Sequence, residues 1–276
     1  MSMRPIAGLV IAALLIVLWS CAGDDSPPVS PTIATAPPAG SPPRGAVRIT
    51  YYGHSMFTIE TPGGLTILTD PNEGIGYRAP SGEIDIVTVS HEHFDHNKTE
   101  VAPDARVIRG LTDDGDWAEI DETIVDVQIR SFPSYHDGNQ GDDRGENSIF
   151  VFDIGDLRIV HAGDYGGDAA FEDLATLEEY FESTRFADVL LVPVGGHFTI
   201  GPEAADALIS SWRSRLSIPM HYRTEFLSDL PDADQLAIVD DFTAGKVNVQ
   251  RPRQSSVDLN AGSVPEGILV LEPQPE

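Results

Sequence analysis

Three histidines and an aspartate crowd into the stretch His91-Glu92-His93-Phe94-Asp95-His96, which follows, after Ser90, on residues 84–89, five of whose six are apolar or β-branched. Imidazole and carboxylate are the donors a zinc-like divalent ion accepts, at about 2.0–2.2 Å, and a loop leaving a rigid strand can aim alternate side chains at one point. His91 and His93, two residues apart, point the same way. Asp95 and His96 fall on the next turn of the chain and can serve a second ion. A merely solvated histidine-rich loop would have no reason to sit at the mouth of a buried strand. Cys21 is the one cysteine of the chain, so a metal centre here must be built from histidine and carboxylate alone, and no internal disulfide is possible.

The motif resembles the metal-binding signature of the metallo-β-lactamase superfamily, and further segments follow in the same order. These are Gly53-His54-Ser55, Thr69-Asp70-Pro71, His136, Ala162-Gly163-Asp164, Pro193-Val194-Gly195-Gly196-His197-Phe198-Thr199 and Pro219-Met220-His221-Tyr222. The set is similar to the branch that holds ascorbate-6-phosphate lactonase-like and other zinc-dependent hydrolases, and it covers residues 47–226. The resemblance implies that His91, His93 and His136 hold one metal ion, that Asp95, His96 and His221 hold another, and that Asp164 bridges them. It implies two divalent ions, zinc first, with manganese or iron as alternatives. It also implies a shared hydroxide that attacks a carbonyl or phosphoryl centre of a small-molecule substrate, in an ester, lactone, amide or phosphodiester. Asp95 and His197 are the candidates for catalytic work, His197 because its Gly-Gly loop is expected over the metal face. Asp70 is a candidate for orienting a ligand histidine and His161 for bracing the core, His54 is open between site and scaffold, and Tyr135 and Arg144, near the third ligand, read as exposed polar loop residues that could touch substrate.

The elements that must carry these residues read as short strands first. Residues 47–52, 56–60 and 65–69 form hairpin-like strands around Gly53-His54-Ser55 and Pro62-Gly63-Gly64, and 84–89 has the composition of a buried strand. Residues 123–129 predict one strand with a polar loop over 131–144. Residues 149–152 and 157–160 predict a hairpin across Gly155-Asp156. Beyond it come a helix over 169–181, a strand over 188–194, a helix over 202–212 that begins with proline, and a brief strand over 218–221. Hairpins giving way to alternating strands and helices point to an α/β architecture, a four-layer αββα metallo-β-lactamase sandwich spanning residues 46–276. The residues after Phe226 have no place in this scheme.

The first 45 residues are of another kind. Arg4 precedes an apolar run over 6–19, about 21 Å long as a helix and so short of a bilayer core of about 30 Å, which marks a signal peptide over residues 1–20. Leu18-Trp19-Ser20-Cys21 resembles a bacterial lipobox, which implies lipidation of Cys21 and an exported, membrane-anchored envelope protein. Residues 21–45, rich in Pro, Ser, Ala, Thr and Gly, predict an extended tether. Acidic residues outnumber basic ones 44 to 17, a net charge of −27 that repels phosphate backbones and argues against nucleic acid as a partner. Two other functions compete with hydrolysis. A non-catalytic binding lipoprotein would not need so full a ligand set, and a flavodiiron-type oxidoreductase would carry glutamate where His93 stands.

Overall fold

The structure, a computed structural model, describes residues 42–167 and 174–276. The expected signal peptide, Cys21 and the tether up to residue 41 lie outside the described residues, as does the first part of the helix expected over 169–181.

The chain opens with β1 (Val47–Gly53), β2 (Met56–Glu60), β3 (Thr66–Thr69), β4 (Ile86–Val89) and β5 (Arg106–Arg109). It continues through β6 (Asp121–Ile124), β7 (Val127–Tyr135), β8 (Glu146–Ile154), β9 (Leu157–His161), α1 (Ala175–Ser183), β10 (Val189–Pro193), α2 (Pro202–Ser211) and β11 (Leu216–Met220). Then follow α3 (Val239–Thr243), β12 (Val249–Gln250), β13 (Ser256–Leu259) and β14 (Gly267–Leu269). Six strands form one mixed sheet in the order β13-β1-β2-β3-β4-β5, and eight form the other, β12-β14-β11-β10-β9-β8-β7-β6.

Alternation along the first sheet determines which side is core. Ile49, Tyr51, Phe57, Ile59, Ile67 and Ile86 face the second sheet and join the main cluster, while Met56, Leu68, Val87 and Val89 point outward into a smaller one. The second sheet is apolar on both faces: Ile149 to Phe152 and Val189 to Val192 are all buried, as strands covered on both sides must be. Leu177 and Phe181 of α1 and Ala205 and Leu208 of α2 are buried in its cluster, α1 against β7 and α2 against β10. The outer face of the six-stranded sheet is covered mainly by loops, with Ile75, Tyr77, Ala102 and Leu227 on the outward residues. Among the described residues this fourth layer holds only a 3-10 turn at Thr99–Val101.

Two expectations need correction. Residues 123–129 are not one strand. Val125, with φ 52°, and Asp126 turn the chain, so that β6 and β7 pair as a hairpin with Ile124 opposite Val127. β7 then runs on through Ser131 to Tyr135, where a polar loop was expected, paired with β8 along its whole length. Its polar residues and Pro133 are tolerated because β6 stops pairing at Arg130; beyond it the segment before β6 takes over, with Ser131 bonded to Ile120 and Ala118 and the Trp117 indole donating to the Ser134 carbonyl. The unplaced residues after Phe226 belong to both sheets: β13 pairs with β1 in one, and β12 and β14 extend from β11 in the other.

Candidate metal centre

Strands β3 and β4 run parallel, as do β9, β10 and β11. Residues that leave their carboxyl ends therefore converge on one rim of the sandwich, the side on which open α/β sheets place ligands. Asp70 follows β3 at once, His91 to His96 follow β4, Asp164 follows β9 and His221 follows β11. His136 comes directly off β7, and His54 occupies the β1–β2 turn.

The donor atoms gather in two sets. Those of His91, His93 and His136 lie within 4.8 Å of one another, and so do those of His54, Asp95, His96 and His221. Asp164 joins the sets through one oxygen. Its Oδ2 is 3.3 Å from His136 Nε2, 3.0 Å from His96 Nε2 and 2.9 Å from His221 Nε2. His54 thus stands inside the second set, its Nε2 3.0 Å from Asp95 Oδ2 and its ring 3.9 Å from that of His221.

Asp70 is also within reach of His91 and His96, but its carboxylate is occupied. Oδ1 accepts from Ser90 N–H at 2.8 Å, while Oδ2 accepts from Ser90 Oγ at 2.6 Å and lies 3.0 Å from His96 Nδ1. Ser90 Oγ in turn sits 2.9 Å from His91 Nδ1. Asp70 therefore turns the Nε2 atoms of His96 and His91 toward the centre, the second layer of bonds that fixes a ligand ring. His161 takes no part: Gly163 N–H donates to its Nδ1 and its Nε2 bonds the carbonyl of Ser55 at 2.9 Å, so both nitrogens serve the scaffold.

The donor set leaves a buried nitrogen open for a cation. His91 Nε2 is buried without a hydrogen-bond partner among the described residues, an arrangement that costs about 1–3 kcal/mol if nothing compensates it. Burial pushes the His91 imidazole well below its ordinary pKa, keeping its lone pair free, and pushes His54 down to about 4. His93 is lowered by burial and by His136 beside it. Burial would raise Asp164, but His221 and His96 outweigh it and hold the carboxyl well below the usual range; at Asp95, His96 and the His54 hydrogen bond do the same. His96 moves the other way, because Asp164 and Asp95 overcome its burial. Two ionised carboxylates around neutral imidazoles fit a divalent ion, whose arrival would displace the His96 proton.

The backbone is bent to make this convergence. His54, Asp70 and His221 all adopt left-handed conformations, with φ of 56°, 38° and 51°. Such residues cost on the order of 1–3 kcal/mol each and cluster where function over-determines them. A bond from His221 N–H to His54 O at 2.9 Å ties two of them together. Gly195 is required beside them, since a Cβ there would lie 2.0 Å from the His221 carbonyl oxygen. Asn147 fixes the Asp164 bend: its Oδ1 accepts from Asp164 N–H at 3.0 Å and its Nδ2 donates to the Ala162 carbonyl at 3.0 Å. Ser90 and Asn147 escape a reading by residue type, since neither is a metal ligand and nothing in the sequence places Asn147 beside Asp164.

Other expected site residues are placed differently. His197 is exposed, its ring packed on Phe198 at 4.4 Å, and it is not among the residues lining either cavity beside the histidines. Only its carbonyl faces the neighbourhood, accepting from Arg144 Nη2 at 3.0 Å. Tyr135 packs edge-on against Trp117. One cavity, of about 260 Å³, opens over His136, Asp164 and His221 and has Phe94, Phe198, Leu230 and Pro231 in its wall. A larger one, of about 670 Å³, adjoins His91 and His93. Arg144 lines both.

Known proteins resemble this chain in sequence and fold. The family model of the beta-lactamase superfamily domain matches residues 48–221. A metal-dependent hydrolase of Cupriavidus necator is 27% identical over 89% of this chain and 96% of its own length, and one of Anaeromyxobacter dehalogenans is 30% identical over 66% and 76%. Among solved structures, a Thermotoga maritima protein assigned to the zinc-dependent hydrolases superposes with a TM-score of 0.61 at 29% identity, covering 83% of this chain and 100% of that one.

Proposed function

This chain belongs to the metallo-β-lactamase superfamily and is a metal-dependent hydrolase, and from that premise we propose that it binds two divalent ions, zinc in the first place, and hydrolyses an ester, lactone, amide or phosphodiester bond of a small molecule. One observation carries the two-ion reading: Asp164 Oδ2 lies within 3.3 Å of a histidine of each donor set. His91, His93 and His136 would hold one ion, Asp95, His96 and His221 the other, and Asp164 would be common to both. His54 belongs to the same donor group as these three and bonds Asp95. Bound there, the ions supply a nucleophile at neutral pH and polarise the electrophile.

The chain's own residues supply the rest. Asp70 and Ser90 orient His96 and His91 before any ion arrives, so that little reorganisation is needed on binding. Phe94, Phe198, Leu230 and Pro231 give the cavity above Asp164 an apolar wall against which an apolar part of the substrate would pack. Metal analysis by mass spectrometry tests the assignment: the purified protein should carry one to two equivalents, and chelation should abolish hydrolysis across an ester, lactone and phosphodiester panel. Turnover by a metal-free preparation would refute it.

The place of action is part of the same proposal. The apolar run over 6–19 and the Leu18-Trp19-Ser20-Cys21 sequence support export with lipidation of Cys21. Cys21→Ser should then release the protein from membranes or leave its precursor unprocessed, whereas an unmodified Cys21 in mature, membrane-bound protein would exclude a lipid anchor.

A further inference from the structure

Arg144 stands where the two cavities meet, beside the metal-facing histidines but not among them. Its Nη2 donates to the His197 carbonyl at 3.0 Å and its guanidinium lies over the Phe198 ring, 5.3 Å from the centroid. Neither partner is charged, and among the described residues no carboxylate pairs with Arg144. Arg109, across the larger cavity, is paired with Glu92 at 2.6 Å. The lining of the larger cavity also includes the carboxylates of Asp113, Asp114 and Glu146. Arg144 is thus the unpaired positive charge at the boundary between an acidic cavity and an apolar one.

Its backbone is held with unusual care. The carboxylate of Asp137, next to His136, accepts four backbone N–H bonds, from Asn139 at 2.7 Å, Gly141 at 3.0 Å, Asp143 at 3.1 Å and Arg144 itself at 2.7 Å. The acidic, glycine-bearing loop 137–145 is therefore closed on its own main chain, and Asp137 has no capacity left for a cation. What the loop fixes is the main chain from which Arg144 reaches the His197 carbonyl and the Phe198 ring.

We infer that the substrate is a small molecule with an apolar body and a single carboxylate or phosphate group, and that Arg144 receives this group while Phe94, Phe198, Leu230 and Pro231 receive the body. The inference rests on the hydrolase reading above and specifies its substrate class. The remaining N–H groups of the guanidinium suit a two-oxygen anion, and packing on Phe198 orients the fork. The carboxylates of the larger cavity turn away a second negative charge, so polyanions are excluded and the charged end stops at Arg144. Asp137 is a positioning residue, acting through Arg144.

Calorimetric titration of the zinc-loaded protein with phenylacetate, phenyl phosphate and neutral phenylacetamide tests the site without turnover. Arg144→Gln should weaken one or both anions by about tenfold or more, the scale of a lost charge-assisted bond, with zinc content and phenylacetamide affinity unchanged. Arg144→Lys should restore part of the loss. The anion that depends more on Arg144 identifies the group as carboxylate or phosphate. Asp137→Ala, with zinc intact, should weaken the same anion severalfold, and an unchanged affinity would remove its positioning role. Equal anion affinities in wild type and Arg144→Gln overturn the inference. Hydrolysis of mono-p-nitrophenyl glutarate against p-nitrophenyl butyrate separates the two readings. Arg144→Gln should raise KM for the anionic ester alone and leave kcat nearly unchanged. Arg144-dependent binding without turnover of either ester would leave the anion site standing and count against ester hydrolysis. Turnover that ignores Arg144 would do the reverse.

Discussion

Asp164 has the most to lose at the scale of single residues. Its Oδ2 contacts His96, His136 and His221, so replacing it removes the one negative charge common to both donor sets. Asp164→Ala should lower the bound metal by at least one equivalent and activity by about a hundredfold or more, read by elemental analysis beside a rate assay. An active variant with full metal content would show that the two sets do not need a shared carboxylate. His197 offers the opposite case. Its imidazole is exposed and only its carbonyl touches Arg144, a contact that alanine keeps. His197→Ala should therefore retain metal and stay within about threefold of the wild-type kcat. A loss of about a hundredfold with metal intact would instead give this side chain the general acid-base role that its Gly-Gly loop suggests in the sequence.

Elements explain what could be foreseen and what could not. The strand before His91 was legible because four consecutive apolar or β-branched residues, Ile86 to Val89, run straight into donor side chains. The helix at Pro202 was legible from its proline and its spacing. The β6–β7 turn was not, since it is made at Val125, a β-branched residue in a left-handed conformation that no turn signal announces. Long-range anchoring is equally hidden. Asp153 on β8 bonds Arg158 of β9 at 2.8 Å and Arg185 at 2.9 Å, and it accepts from Tyr180 of α1 at 3.1 Å, so that one carboxylate pins α1 to the sheet. Burial would raise the Asp153 carboxyl, but Arg158 and Arg185 hold it below the usual carboxylate range. A carboxyl lowered by folding stabilises the native state above its unfolded pKa, about 3.9, and that contribution is lost as pH falls through the lower native value. Asp153→Asn should therefore cost about 1–2 kcal/mol in denaturant unfolding at pH 7, reduced from a fully buried pair by partial exposure. The gap to wild type should close as pH drops below 4. A gap that persisted or widened in acid would mean that the side chain acts by packing rather than by charge.

At the scale of the whole molecule, the last fifty residues decide whether the centre exists. The family model ends at residue 221, and residues 222–276 carry none of the donors, so the end of the chain looks dispensable in sequence. The structure places it in both sheets. Val47 to Thr50 of β1 pair with Leu259 to Ser256 of β13, and Leu216 of β11, the strand that presents His221, pairs with Gly267 of β14. Phe242, Val257, Leu259 and Leu269 are at most 2% exposed. Large apolar side chains contribute about 1.5–3 kcal/mol each when buried. Together these four approach the net stability of a domain, about 5–15 kcal/mol. The same segment braces the site, since Ala237 N–H donates to the Gly195 carbonyl at 2.7 Å, and Leu230 and Pro231 close the apolar cavity. A chain ending at Phe226 keeps every proposed ligand yet should be insoluble, or soluble without a cooperative thermal transition, and should bind no stoichiometric zinc. Recovery of a cooperatively folded, zinc-binding protein from that truncation would show that the closing strands β12 to β14 and helix α3 are an accessory layer. Failure to fold would mean that the donors need both sheets complete before they can converge.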